Sequence, residues 1–154
     1  MKVVFVCTGN TCRSPMAEAM WRYLMKDVTD DSHTVHSAGL APAIGMPAAP
    51  LAVAELSRRE IPFSGHTAKA LTRDMLQNSD AVVVMTQSQR DLLRRSFGEM
   101  EKKIQTLGEW SGLGGEIPDP FGGDASLYAQ CASSIWEHLT AAKKRFYPEH
   151  GDTK

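Results

Sequence analysis

Val3-Val4-Phe5-Val6-Cys7-Thr8-Gly9-Asn10-Thr11-Cys12-Arg13-Ser14-Pro15 opens the chain with an apolar run, a polar turn and a proline. An unbroken apolar run bounded by turn residues is the pattern of a strand buried on both faces, as in a parallel sheet. Ser14-Pro15 predicts a helix start, with Ser14 as its cap and Pro15 at the first helical position. Met16, Met20, Tyr23 and Leu24 follow at i, i+4, i+7 and i+8, one buried helical face. The chain therefore begins as strand, loop, helix.

The same alternation continues outward. Thr34 to Ser37 predicts a second strand, closed by Ala38-Gly39. A proline-rich surface loop from Ala41 to Pro50 leads into a helix from about Leu51 to Arg59. Ala81 to Met85 is the clearest central strand, Ser88 to Phe97 the helix after it, and Ile104 to Leu107 a fourth strand. Gly108 to Gly123 holds six glycines and two prolines and predicts a long loop, of the kind that carries function in small domains. The last helix is expected from Ser126 to Phe146, with Cys131, Ile135, Leu139, Ala142 and Phe146 on its inner stripe. Alternating strands and helices imply an α/β fold, a single-domain three-layer sandwich with a four-stranded parallel sheet flanked by helices. That domain is expected over residues 1–147, followed by a polar tail over 148–154.

Composition narrows the function classes. The 154 residues are 42% hydrophobic and 23% charged, with a formal net charge of -1. That is one globular core and not a disordered chain. The balanced charge leaves no electrostatic footprint for nucleic acid. No apolar run approaches the ~20 residues of a membrane span, and the N-terminal apolar stretch is too short for a signal peptide. Three cysteines (Cys7, Cys12, Cys131) are odd in number and too sparse for a disulfide scaffold. The expectation is a cytoplasmic monomer with free thiols, without nucleic-acid or membrane partners.

In an open parallel sheet, ligands bind beyond the carboxyl ends of the strands, where loops meet helix N-termini. A glycine-containing turn that enters a helix there presents several N–H groups to one point, which favours a tetrahedral oxyanion. Arg13 adds a fork of donors suited to phosphate. Cys7, with five residues between it and Arg13, can lie beneath such an anion, and the same positive field favours its thiolate. Nucleophile, anion cradle and guanidinium clamp thus share one short segment.

Cys7-Thr8-Gly9-Asn10-Thr11-Cys12-Arg13-Ser14-Pro15 resembles the phosphate-binding loop of the low-molecular-weight protein tyrosine phosphatase family. Asp119-Pro120-Phe121, in the Gly-rich loop, matches the family's general-acid motif, and Ser37-Ala38-Gly39 and His66 also match. The resemblance spans nearly the whole chain. It implies attack by Cys7 on phosphorus and a phosphocysteine intermediate. Arg13 and the amides of Thr8, Gly9, Asn10, Thr11, Cys12 and Ser14 would hold the phosphoryl oxygens. Asp119 would act as general acid and then base. Ser14 would donate to the Cys7 sulfur, and Asn10 would take a left-handed backbone supported by Ser37 and His66. No metal or other cofactor is implied. The partners are phosphorylated proteins.

Thr11 is the variable position of the loop. Members acting on phosphotyrosine usually carry Ile or Leu there, and a threonine resembles the branch that dephosphorylates phosphoarginine in proteins. A shorter side chain with a hydroxyl acceptor suits a guanidinium, whose N–H groups need acceptors. Phe121 replaces the Tyr or Trp usual in the tyrosine branch and could stack on a flat guanidinium. The alternative is a tyrosine phosphatase. Arsenate reduction on the same scaffold needs two further cysteines after the third strand, and Thr86 to Gly98 contains none. Cys12, near Cys7 along the loop, resembles the partner of a reversible inactivating disulfide; the alternative is a packed thiol. Cys131 is expected in the core. Trp110 suits either lining the cleft or covering the sheet. Asp124 is expected to cap the last helix, and Arg90, Arg94 and Arg95 to form a solvated face. His33, His36, His138 and His150 show no metal-ligand spacing.

Overall fold

The computed structural model describes residues 1–28 and 33–149. Strands β1 (Lys2–Cys7), β2 (Thr34–Gly39), β3 (Ala81–Val84) and β4 (Ile104–Thr106) form one parallel sheet in the order β2-β1-β3-β4. Helices α1 (Arg13–Leu24), α2 (Pro50–Arg58), α3 (Arg73–Asn78), α4 (Gln87–Ser96), α5 (Leu107–Ser111) and α6 (Ala125–Phe146) flank it, with a 3-10 segment over Gly98–Lys103. This is the expected three-layer α/β sandwich.

Strand β1 pairs with β2 from Lys2↔Thr34 to Cys7↔Gly39, and with β3 from Val3↔Ala81 to Val6↔Val84. Side chains alternate across a strand. Val3, Phe5 and Cys7 therefore enter one layer with Met16, Met20, Trp21, Leu56, Trp110 and Ile135, while Val4 and Val6 enter the other with Leu76, Leu93 and Ile104. Burial on both faces explains the unbroken apolar run. From β1 the chain moves outward to β2 and then returns past β1 to β3. The carboxyl end of β1 therefore opens at the point where the strand order reverses, where an open sheet leaves a crevice for ligands.

Three expectations are corrected. Helix α1 starts at Arg13 behind Cys12, which makes no side-chain cap bond, because the Ser14 hydroxyl is turned to Cys7. Pro15 still falls in the first turn, where a missing N–H breaks no helical bond. The segment after β4 is not all loop. Thr106 and Glu109 form a reciprocal capping box that starts α5, and Gly112 ends it in the left-handed region (φ 82). Of the three arginines expected in solvent, Arg90 pairs with Asp91 and Glu109, and Arg94 donates to the Ile104 carbonyl. Only Arg95 is exposed.

Trp110, carried by α5, covers the sheet. Its ring meets those of Trp21 and Phe5 edge-on at 5.0 and 5.9 Å between centroids. Asp124 caps α6 through the Leu127 N–H. His138 ties α6 to the glycine-rich loop, its ring nitrogens 2.8 Å from the Ser134 carbonyl oxygen and 2.9 Å from that of Gly114. Pro148 and Glu149 are exposed, while His150 and the rest of the expected tail lie outside the described residues. No helix among the described residues is long and apolar enough to cross a membrane.

The glycine-rich segment folds back tightly on α5. A Cβ at Gly108 would overlap the Gly115 carbonyl oxygen and lie 2.7 Å from the Gly114 carbonyl carbon. Backbone atoms cannot swing aside as side chains do. Gly108→Ala is expected to cost about 1–3 kcal/mol by overpacking, read as a lower midpoint in urea unfolding with an unchanged m value.

Candidate active site

The loop between β1 and α1 curls because Asn10 takes φ 56, a left-handed conformation that asparagine tolerates better than most residues. Every polar group of this fully buried residue is used. Its Nδ2 donates to Ser14 Oγ at 2.8 Å and to Ser37 Oγ at 3.1 Å, and its Oδ1 accepts the Lys69 N–H at 3.0 Å. Its carbonyl oxygen lies 2.7 Å from His66 Nε2, and its own N–H points to Cys7 Sγ at 3.3 Å. Ser37 and His66 thus stand where the sequence reading placed them. The loop is also stitched to its neighbours by the N–H groups of Leu40, Ala41 and Ala49, which donate to Cys7, Thr8 and Thr11 carbonyls. Close approach needs a glycine, since a Cβ on Gly39 would stand 2.8 Å from the Thr8 carbonyl oxygen.

Hydrogen-bond polarity along this network is determined. Arg22 pairs with Glu18, and Glu18 accepts the Ser37 hydroxyl proton. Ser37 therefore receives from Asn10, and so does Ser14. The Ser14 proton is left for Cys7 Sγ, 3.0 Å away. Cys7, at the end of β1, accordingly has two donors aimed at its sulfur.

Arg13 is 4% exposed. One terminal nitrogen donates to the Ile117 carbonyl oxygen at 2.9 Å, the other lies 3.7 Å from Asp119 Oδ2, and its buried Nε has no partner. A buried unpaired donor calls for an acceptor from outside the chain. The amides of Gly9, Thr11 and Cys12 likewise meet no acceptor among the described residues. Asp119 is half exposed and accepts the Phe121 N–H at 3.0 Å, and the Ile117 N–H fastens this loop to the Met85 carbonyl beyond β3. Cys7, Thr8, Gly9, Thr11, Cys12, Arg13, Asp119 and Phe121 line one cleft of about 170 Å³. Its donors and its sulfur suit a tetrahedral oxyanion held for attack. Among the described residues no group of three or more His, Cys, Asp or Glu is placed to hold a metal ion.

The remaining thiols differ. Cys12 Sγ lies 3.2 Å from Tyr128 Oη and 3.7 Å from Thr11 Oγ1. Burial and the contact with Cys12 push the Tyr128 hydroxyl well above its ordinary range, so it stays a donor. Cys131 is buried on the inner stripe of α6, and burial pushes its thiol up to about 12, which leaves it protonated and inert near neutral pH.

The family profile described as low molecular weight phosphotyrosine protein phosphatase matches residues 2–148. The chain belongs to this family. It is 35% identical over 146 residues to the protein-arginine-phosphatase of Bacillus subtilis (strain 168), covering 94% of this chain and 96% of that protein. It is 36% identical over 133 residues to the low molecular weight protein-tyrosine-phosphatase Ptp of Acinetobacter johnsonii, covering 86% and 89%. A solved mutant of the arginine phosphatase YwlE with a phosphorylated active site serine superposes with a TM-score of 0.90 at 33% identity, covering 98% of this chain and 99% of that one. The protein is accordingly a phosphatase of phosphorylated proteins, with both arginine and tyrosine phosphatases among the relatives it resembles.

Glu18, Lys69, Gln89 and Tyr128 were not singled out from the sequence, although each holds part of this site through a hydrogen bond. Replacing Asn10 separates backbone from side-chain support. Asn10→Ala and Asn10→Gly both lose the Ser14, Ser37 and Lys69 bonds and are expected to lose most activity. Asn10→Ala should be less stable in urea by about 1–2 kcal/mol, because only glycine takes the left-handed conformation freely. Equal stabilities would mean that the left-handed backbone carries no cost here.

Proposed function

We propose that this phosphatase hydrolyses phosphoarginine in proteins, and that the phosphatase unit spans residues 1–147. The observation that carries the reading is Thr11. Its side chain lines the cleft beside Asp119 and Phe121, and among the described residues its hydroxyl has only the Cys12 sulfur as a hydrogen-bond partner, at 3.7 Å. An oxygen with free lone pairs suits the N–H groups of a guanidinium and gives a phenyl ring nothing to bind. Phe121, 76% exposed at the mouth, offers a face on which a planar cation can stack. The arginine phosphatases among the relatives support the same substrate.

The geometry supports the following mechanism. The Cys7 thiolate attacks phosphorus in line, forming the S–P bond as the P–N bond to the guanidine breaks. Arg13 Nε and the unpaired loop amides hold the equatorial oxygens. Asp119 delivers its proton to the leaving nitrogen and then takes one from the water that hydrolyses the phosphocysteine. Ser14 donates to the sulfur as it departs. The redox role of Cys12 belongs to the same reading. Peroxide takes two electrons and two protons from the free thiols of Cys7 and Cys12, yielding their disulfide and two molecules of water.

The test compares kcat/KM on a phosphoarginine peptide and a phosphotyrosine peptide, with Thr11→Ile alongside. The wild type should prefer phosphoarginine, and Thr11→Ile should erase or reverse that preference. A wild-type preference for phosphotyrosine would make Thr11 a neutral variation and the arginine assignment wrong. For the acid, Asp119→Ala should lose about 10²–10⁴-fold on leaving groups that need a proton. It should lose far less on an activated aryl phosphate, and equal losses would remove Asp119 from that role.

A further inference from the structure

The side-chain amide of Gln89 cannot be reversed. Its Oε1 receives the N–H groups of Met85 at 2.9 Å and of Thr86 at 3.2 Å. Two donors on that side require the oxygen there, so Nε2 faces the loop and donates to Thr8 Oγ1 at 3.1 Å. Gln89 is buried, whereas Thr8 is exposed and lines the cleft with Asp119 and Phe121. A hydroxyl carries one proton and two lone pairs. Gln89 fills one lone pair, and the Thr8 proton meets no acceptor among the described residues. The hydroxyl is thus oriented as a donor at the mouth of an oxyanion site.

We infer that Thr8 Oγ1 donates this proton to an oxygen of the bound substrate, and that Gln89 is the positioning residue that sets its direction. The inference rests on the phosphatase reading of the cleft and is independent of the choice between arginine and tyrosine. It adds a side-chain donor where the loop otherwise offers amides and Arg13. A fold contact alone is not enough to explain the arrangement, because glutamate would cap α4 equally well through the same two N–H groups. Only the amide also supplies a donor to Thr8.

That difference provides the experiment. Thr8→Val, Thr8→Ser, Gln89→Glu and the double variant Thr8→Val/Gln89→Glu are assayed on p-nitrophenyl phosphate and on the phosphoarginine peptide, with melting temperatures to confirm folding. Thr8→Val is expected to lose about tenfold in kcat/KM, the scale of one hydrogen bond to a charged oxygen, and Thr8→Ser to stay within about twofold of wild type. Gln89→Glu keeps the Met85 and Thr86 contacts but turns the Thr8 proton inward, so its loss should match that of Thr8→Val. In the double variant it should add nothing. A further loss there would show that the added charge repels phosphate directly, and would overturn the role of Gln89. Wild-type activity of Thr8→Val on both substrates would overturn the whole inference. A loss on both places the acceptor on the phosphoryl group, and a loss confined to the peptide places it on the peptide. A wild-type preference for phosphotyrosine would sink the arginine assignment while leaving the p-nitrophenyl phosphate comparison intact.

Discussion

A loop whose amides converge on one centre cannot fill that centre with its own atoms, so its curvature has to be held from outside. In this chain the holding point is Asn10. A left-handed backbone at φ 56 turns the chain, and Ser14, Ser37, Lys69 and His66 hold the turned residue from α1, from β2 and from the segment before α3. Without those bonds the local cost of about 1–2 kcal/mol would favour a flatter loop, with its amides turned to solvent. The parallel sheet is what brings the supports within reach. β1 and β2 run in register to Cys7↔Gly39, which places Ser37 beside the loop and leaves only a glycine's width between Gly39 and Thr8.

The second constraint joins the β1–α1 loop to the segment that carries Asp119. Arg13 leaves the loop and spends one nitrogen on the Ile117 carbonyl, two residues before Asp119 in sequence. The Ile117 N–H is held by Met85 at the end of β3. The segment bearing Asp119 is therefore fastened on one side to the strand next to β1 and on the other to Arg13. A glycine-rich segment is otherwise free to choose its path, and these two bonds set the height at which the carboxylate overhangs the cleft. His138 and the capping box of α5 hold the earlier part of the same segment.

What could be read from residues alone was whatever is local in sequence. The strand, the loop and α1 lie within one short segment, so the apolar run, the glycine turn and the C-x5-R spacing carried both the fold and the core of the site. Asp119, Ser37 and His66 were reachable only through resemblance, since nothing in their neighbourhoods announces a contact with Asn10 or Arg13. Glu18 was invisible for a different reason. With Arg22 four residues on, it looks like an ordinary surface pair on a helix, yet its second oxygen takes the Ser37 proton. Helix α5 did leave a signal, Thr106-Leu107-Gly108-Glu109, the spacing of a capping box, but the surrounding glycines outweighed it in a reading based on turn residues. Ser14 was misassigned as a cap because a serine before a proline fits that role locally. Tertiary chemistry claimed its hydroxyl instead.

Polarity, more than position, is what the tertiary structure adds. Each hydroxyl in the site could in principle point its proton either way. The choice is forced by groups at the far ends of the network that can only donate or only accept. Glu18 accepts and so fixes Ser37 as its donor. The backbone N–H of Lys69 donates and so fixes the orientation of the Asn10 amide, which in turn sets Ser14 as a donor to Cys7. On the opposite side, the N–H groups of Met85 and Thr86 fix Gln89, and Gln89 fixes Thr8. One chain, from α1 and β2, ends in a proton aimed at the Cys7 sulfur, and the other, from the end of β3, ends in a proton at the mouth of the cleft. A site built to hold an anion benefits from that arrangement at every vertex, because a donor already oriented before binding need not reorganise when the charge arrives.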